Sequence, residues 1–334
     1  MSSLLKGKRI LVTGGSGSIG KEIVKKCLSE DASFVRVFSN DENGLYEAEL
    51  EFPQKNIEYI VGDIRNFETV NSVVKDVDIV FHTSALKHVD RCELNPFEAV
   101  TVNTIGTYNI CKASLRESVS KVINISTDKA VNPVGVLGAT KLLSEKLISS
   151  ESFLNKSKTI FSSVRFGNVL QTRGSIMPRI ESQIKQGGPI TLTDKKMQRF
   201  FMTKSQSVEL ILKAAEYAKG GETFVLKMPL ILLNDLFDVM KELIAPNYNL
   251  NPSKIKTKII GIRPGEKITE YLLTNFELEH VLETKDFFII PSMFESSNSK
   301  KYKNAQKPKN IKDYFKNQKP ISKVVIKKML KGVY

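Results

Sequence analysis

Short apolar runs rich in β-branched and aromatic residues punctuate the first half of the chain: Ile10 to Val12, Phe34 to Phe38, Ile57 to Val61, Val77 to Phe81, Val122 to Ile125 and Ser162 to Phe166. Runs of this length and composition predict buried strands. The intervals between them leave room for helices. Two stretches, Ala99 to Leu115 and Gly138 to Ile148, carry helical periodicity. Alternation of strand and helix predicts an α/β fold on a doubly wound parallel sheet, with ligands at the carboxyl ends of the strands. Beyond about residue 168 this rhythm weakens.

The first predicted strand runs directly into Gly14-Gly-Ser-Gly-Ser-Ile-Gly20. Gly14, Gly17 and Gly20 stand three residues apart. The following segment places Ile19, Ile23, Val24, Cys27 and Leu28 on one helical face, with Lys21, Lys25 and Lys26 largely on the other. A tight glycine turn lets backbone approach a pyrophosphate, and the helix N-terminus behind it favours negative charge. Strand, loop and amphipathic helix in this order predict a dinucleotide site. Ser16, Ser18 and Ile19 lie in the loop. Ser39 and Asn40 follow the second strand, Asp63 and Ile64 the third, and Ser84, Ala85, Lys87 and His88 the fourth. Asp63 is read as an adenine contact and His88 as a substrate-lining or structural residue. NAD sites often place an acid at the end of the second strand. Here Ser39-Asn40 stands there and Asp41 comes later, so NADP is expected, with NAD the alternative.

The expected organisation is therefore a mainly dinucleotide-binding domain over 1–167 and a mainly substrate-binding part over 168–294, with some segments returning to the main sheet. A basic linker and tail over 295–334 completes the chain, with 295–310 read as an exposed linker. At 334 residues and 41% hydrophobic content the composition is ordinary for a globular protein. No apolar run approaches the roughly 20 residues of a membrane span. The start of the first strand near residue 9 leaves no room for a signal peptide. Cys27, Cys92 and Cys111 are scattered and odd in number, which points to a reducing, cytoplasmic setting. His82, His88 and His280 form no metal-binding pattern. Net charge is +14, of which residues 300–334 contribute +11 through 12 lysines and Asp313. Such a tail can meet nucleic acid or an anionic membrane, but Tyr302, Tyr314 and Phe315 are too sparse for base stacking and no nucleic-acid role is expected. Ile321, Val324, Val325, Lys328 and Leu330 fit a short amphipathic helix that docks on the body or on another subunit.

The chemistry is concentrated in Ser126-Thr-Asp-Lys-Ala-Val-Asn-Pro-Val-Gly-Val-Leu-Gly-Ala-Thr-Lys141. Its Ser-Thr head and terminal Lys141 resemble a short-chain dehydrogenase active site. That superfamily usually carries Tyr four residues before the Lys; here the position holds Leu137, which cannot exchange a proton. Asp128 and Lys129 follow Thr127 directly and supply an acid–base pair. Just past a strand end, adjacent side chains can converge on one ligand.

Taken together, Thr13 to Gly20, Val61-Gly-Asp-Ile-Arg65, Ser84-Ala-Leu-Lys-His-Val89, Ser126 to Lys141, Arg165-Phe-Gly-Asn-Val169, Arg173-Gly-Ser175, Met197-Gln-Arg-Phe-Phe201 and Ile260-Gly-Ile-Arg-Pro-Gly-Glu-Lys267 resemble the extended short-chain dehydrogenases. Within them the chain is similar to the soluble UDP-N-acetylglucosamine 4,6-dehydratases of polysaccharide and flagellin-glycan synthesis. The resemblance covers most of the chain and implies a Rossmann fold, a nicotinamide cofactor, UDP-N-acetylglucosamine as substrate and a homo-oligomer. It implies Asp128 as acid, Lys129 as base, Thr127 on the sugar 4-hydroxyl and Lys141 on the nicotinamide ribose. Asn103 is implied near the nicotinamide, Asn168 at the diphosphate and Glu266 at the uridine ribose. Arg173, Arg199 and Arg263 are further diphosphate candidates, since arginine suits bidentate phosphate binding. Lys129 must be neutral to accept a proton. Inverting relatives carry Tyr at position 137 and retaining ones usually Met, so Leu137 implies retention at C5. Three alternatives stand beside this reading: a UDP-sugar C4 epimerase, a C5-inverting dehydratase, and a non-enzymatic dinucleotide-binding regulator with a nucleic-acid-binding tail.

Overall fold

The computed structural model describes residues 4–154, 158–294, 301–302, 304–311, 315 and 317–331. The expected strands form as β1 (Arg9–Thr13), β2 (Phe34–Ser39), β3 (Ile57–Val61), β4 (Ile79–His82), β5 (Lys121–Thr127) and β6 (Ile160–Phe166). Later come β7 (Asn168–Val169), β8 (Ile190–Leu192), β9 (Gln198–Met202), β10 (Thr223–Leu226), β11 (Leu230–Leu232), β12 (Thr257–Ile259), β13 (Leu282–Glu283) and β14 (Phe287–Ile290). The main sheet runs β13-β14-β10-β6-β5-β4-β1-β2-β3. Pairs from β10 through β6, β5, β4, β1 and β2 to β3 are parallel, while β14 joins β10 and β13 joins β14 antiparallel. This is a Rossmann-like α/β fold. The strand order reverses between β1 and β4, so a crevice opens at their carboxyl ends. There Thr13 lies opposite His82.

Apolar clusters cover both faces of the sheet. One gathers Ile10, Val12, Ile23, Val35, Phe81 and Phe224; the other gathers Leu11, Phe38, Val80, Ile110 and Phe161. A third core, including Leu170, Ile180, Leu192, Phe237 and Met240, lies in the chain after β6, around the smaller sheets β11-β9-β7 and β12-β8.

Two expectations change. The helical stretch over Ala99 to Leu115 is not continuous: Pro96–Val100 and Gly106–Arg116 are α-helical, and Thr101–Ile105 between them is a π-helix. The wider turn carries Asn103 inward, where its amide donates to the Leu86 carbonyl (3.1 Å) and accepts from the Leu86 N–H (2.8 Å). Of the described residues in the expected linker 295–310, Asn304, Gln306, Lys307, Lys309 and Asn310 are exposed, yet the stretch is tied to the body. Tyr302 is buried and donates to Glu222 (3.0 Å), Gln306 bridges Glu283, and Ile311 is buried. The predicted terminal helix forms over Lys323–Leu330, but its inner face is Ile326 and Leu330, with Val324 and Val325 outward. Asp313 and Tyr314 lie outside the described residues.

A buried ion network joins these layers. Arg165 on β6 is fully enclosed. It donates to Glu145 (2.6 and 3.0 Å), to Glu277 (2.9 and 3.0 Å) and to the Leu272 carbonyl (3.0 Å). Removing one partner of such a network leaves uncompensated buried charge. Arg165→Met strands both carboxylates and is expected to cost about 3–5 kcal/mol, read by urea denaturation. A loss below about 1 kcal/mol would show that water reaches this network and carries its charge.

Candidate active site

At the end of β1 the chain turns at Gly14, where φ is +64°. A Cβ here would lie 2.8 Å from the Ser84 backbone nitrogen, so the loop sits directly against the segment after β4. The Gly14 N–H donates to the Phe38 carbonyl (2.7 Å), and the Thr83 hydroxyl to the Thr13 carbonyl (2.6 Å). Ser16 donates to Ser39 (2.8 Å), joining the loop to the end of β2. The helix Ser18–Ser29 has Gly17 as its N-cap and no side-chain cap. Its first-turn N–H groups are therefore open to an anion. This close-fitted glycine cradle suits a dinucleotide, and the structure brings Gly14, Ser16, Gly17, Ser18, Ile19, Gly20, Ser39, Ser84 and Ala85 to this end of the crevice.

Neighbouring groups are partly committed elsewhere. The Asp63 carboxylate is gripped by the Arg65 guanidinium (2.5 to 3.0 Å), which holds it below the usual carboxylate range. Its side chain is thus engaged within its own loop. Ile64 is buried, and Asn40 is exposed. Asn103 fixes Leu86 and also donates to Thr140 (3.1 Å), so it tethers the loop after β4 to the helix that carries Lys141.

β5 ends at Thr127, and a 3₁₀ turn over Asp128–Ala130 follows at once. The turn brings the three polar side chains together. Thr127 donates to Asp128 Oδ1 (3.0 Å), and Lys129 Nζ donates to the same oxygen (3.0 Å). Asp128 is fully buried, and its Oδ2, above Gly167, has no hydrogen-bond partner among the described residues. The helix Val136–Leu154 presses on this turn at Gly138, where a Cβ would run into the Lys129 carbonyl. Leu137, Lys141 and Glu145 lie four apart along one face of that helix. Leu137 is buried beside Cys92 and Ala99. Lys141 is buried and donates to the Ile125 carbonyl (2.7 Å); burial pushes its ammonium down to about 8, against the pull of Glu145. Glu145 accepts from Ser126 (2.6 Å).

The expected phosphate ligands divide. Arg263 is half-buried at a turn, 3.5 Å from Glu266, which also accepts from Thr193 (3.4 Å). Arg199 differs from expectation: it is buried, and its guanidinium is spent on the carbonyls of Gln198, Lys267 and Ile268 (2.7 to 3.0 Å). It holds the loop that bears Arg263 and Glu266. Asn168 donates to the Phe200 carbonyl (3.2 Å). Arg173 reaches Asp41 beside the glycine loop (3.2 Å). Lys87 donates to the Arg173 carbonyl (2.6 Å), and His88 packs under Gly174. Among the described residues no cluster suited to a metal ion occurs.

Residues 10–292 match the family model described as polysaccharide biosynthesis protein. The chain belongs to this family. It is 48% identical, over all of its length and 98% of the relative, to a Methanocaldococcus jannaschii protein described as an uncharacterized membrane protein. Among the described residues of this chain, no helix is long and apolar enough to cross a membrane. It is 37% identical over 300 residues to a UDP-glucose 4-epimerase of Rickettsia bellii, covering 88% of this chain and 86% of that one. The crystal structure of Pen from Bacillus thuringiensis superposes with a TM-score of 0.89 at 43% identity over 98% of both chains.

Within this polysaccharide biosynthesis framework, sequence analysis does not single out Glu270. It is buried, 3.9 Å from Lys129 and 3.0 Å from Lys267. Its spacing of three from Lys267 is the one local signal; the contact with Lys129 joins distant segments of the chain. His82 ends β4. It is fully buried between the hydroxyls of Thr13 (2.8 Å) and Thr107 (3.1 Å), and burial, with Lys141 nearby, pushes its imidazole down to about 3. An unfolded imidazole titrates near 6.5. Between these values the unfolded chain binds a proton that the folded chain does not. This contribution to stability is therefore complete above pH 6.5 and declines by about 1.4 kcal/mol per pH unit as acid is added. His82→Gln is expected to flatten the fall in stability between pH 7 and pH 5, measured by chemical denaturation. Equal slopes in both proteins would show that His82 takes up a proton inside the fold.

Proposed function

We propose that the protein is a UDP-N-acetylglucosamine 4,6-dehydratase, using NADP in preference to NAD and retaining the configuration at C5. The observation that carries this reading is the Thr127–Asp128–Lys129 cluster at the end of β5, with one buried Asp128 oxygen left free. A nicotinamide held in the glycine cradle would supply hydride acceptance from C4 and hydride return to C6. The side chains handle the protons. Thr127, already donating to Asp128, links the sugar 4-hydroxyl to that carboxylate, so the 4-hydroxyl proton ends on Asp128. Neutral Lys129 takes the C5 proton, made acidic by the 4-ketone. Asp128 returns its proton to the departing C6 hydroxyl, and one water leaves. Lys129 then gives its proton back to C5, and both groups end as they began. Leu137 offers apolar surface where a phenol would supply a proton to the opposite face, which favours retention. Lys141 would hold the nicotinamide ribose and add positive field. Arg263 would meet the diphosphate, with Glu266 at the uridine ribose and Asn168 at the diphosphate.

The name of the Rickettsia bellii relative favours a second reading, a C4 epimerase. Epimerisation needs proton exchange at the 4-hydroxyl only, which leaves the Asp128–Lys129 pair without a task. Incubation with UDP-N-acetylglucosamine is expected to give a product lighter by one water, with no net reduced cofactor. Mass spectrometry reads the first, absorbance the second, and early NMR couplings the C5 configuration. Lys129→Met and Asp128→Asn should slow turnover by about 10²–10⁴ while binding persists. An isobaric product means epimerase, and stoichiometric reduced cofactor means a simple dehydrogenase.

We also infer a homo-oligomer. Phe97, Val100, Ile105 and Tyr108 on successive helical segments, and Leu143 on the adjoining helix, expose large apolar side chains. Contiguous exposed apolar surface marks interaction sites. Sedimentation equilibrium should give a multiple of 37.5 kDa, reduced by Tyr108→Glu. A monomeric wild-type mass at micromolar concentration overturns this.

A further inference from the structure

We propose that Arg173 selects NADP over NAD by meeting the adenosine 2′-phosphate, an inference that rests on the NADP reading above. The ribose of a dinucleotide lies near the end of the second strand. In this chain residues 39–51, which follow that point, include Asp41, Glu42, Glu47, Glu49 and Glu51 and no lysine or arginine. Arg36 on β2 is occupied with Glu58 and with the carbonyls of Val73 and Lys75. Lys21 pairs with Glu47 and Glu51 (3.7 and 3.3 Å). Local sequence would present a phosphate with an acidic surface.

Arg173 corrects that from the other side of the crevice. Its backbone is fixed at three points. The Arg173 N–H donates to Ser18 Oγ (2.8 Å) on the first turn behind the glycine loop, and its carbonyl accepts from Lys87 (2.6 Å). Gly174 follows with φ +71°, packed so closely on the His88 ring that a Cβ would collide with it. From this anchor the guanidinium reaches Asp41 Oδ2 (3.2 Å). Asp41 itself sits against the cradle: its Oδ1 accepts from Gly44 (3.0 Å), and its N–H donates to Ser39 Oγ (3.1 Å), the hydroxyl bonded to Ser16. The Arg173 side chain is 57% exposed, so its remaining donors are open.

The pair is thus a two-way selector. Asp41 is the carboxylate that would accept from a ribose 2′-hydroxyl, and Arg173 neutralises it. A 2′-phosphate offers the guanidinium three oxygens and a larger charge, which suits bidentate binding. A plain 2′-hydroxyl offers Arg173 no anion. The loop expected on the sugar side thereby belongs to the cofactor's adenosine end.

Equilibrium titrations of NADPH and NADH, followed by nicotinamide fluorescence, test this on wild type, Arg173→Ala and Asp41→Asn. Arg173→Ala should weaken NADPH by about 10- to 100-fold, the range for a charge-assisted contact, and leave NADH within about threefold. Asp41→Asn should weaken NADH and leave NADPH equal or tighter. Wild type that prefers NADH overturns the NADP reading and this inference together. Wild type that prefers NADPH, with the preference unchanged in Arg173→Ala, overturns only the role of Arg173. Equal weakening of both nucleotides also overturns it, since Arg173 would then serve a feature the two share.

Discussion

The buried guanidinium of Arg165 is the constraint on which both halves of the crevice depend. Desolvating an arginine and two carboxylates is costly, and the arrangement holds only because nearly every donor is matched. Ser126 adds a hydroxyl to Glu145, and the capping box at Thr274 adds an N–H to Glu277 (2.7 Å). The geometry this imposes is specific. Glu145 is one turn from Lys141, so fixing Glu145 to β6 fixes the rotation of the helix that aims Lys141 at the end of β5. Glu277 carries the same restraint to the segment bearing Glu270. The helix bearing Lys141 and the segment bearing Glu270 are thus indexed to one strand.

Charge is matched in a second place, with different energetics. Lys323 and Lys327 of the terminal helix face Asp235, Asp238 and Glu242 on the helix Leu233–Ile244. Exposed pairs of this kind contribute little each. Docking comes from Ile326 and Leu330, fully buried against the core that includes Leu236, Phe237 and Met240. The lysines set orientation rather than stability. Part of the basic tail therefore complements an acidic helix of the same chain.

What sequence discloses follows from the range of the interactions. β1 to β6 were legible because a buried strand writes itself as a short β-branched run, and the glycine loop because close backbone contact excludes side chains. Thr127, Asp128 and Lys129 were legible because a local turn gathers them. The rest depends on contacts between distant segments. Arg199 reads as a phosphate ligand until the carbonyls of 267 and 268 claim it. Arg173 reads as a sugar-side cation until the fold delivers it to Asp41. The π turn that buries Asn103 has no local signature in a segment with ordinary helical periodicity, and Tyr302 sits in a polar stretch whose composition alone reads as linker.

Glu270 shows how such a long-range contact would serve the proposed chemistry. A base must lose its proton, yet Lys129 stands beside a buried carboxylate at 3.0 Å and a second at 3.9 Å. Lys267 changes the balance. It lies closer to Glu270, at 3.0 Å, and is itself fastened to the carbonyl of Val131 (2.8 Å). Glu270 therefore has a fixed counter-charge that would remain if Lys129 became neutral, and the desolvation cost of an unpaired buried carboxylate would be avoided. In the proposed mechanism Asp128 would meet the same problem by taking up the proton that arrives through Thr127. In the proposed mechanism each acid beside Lys129 would thus have its own means of staying neutral or paired while the lysine gives and takes its proton.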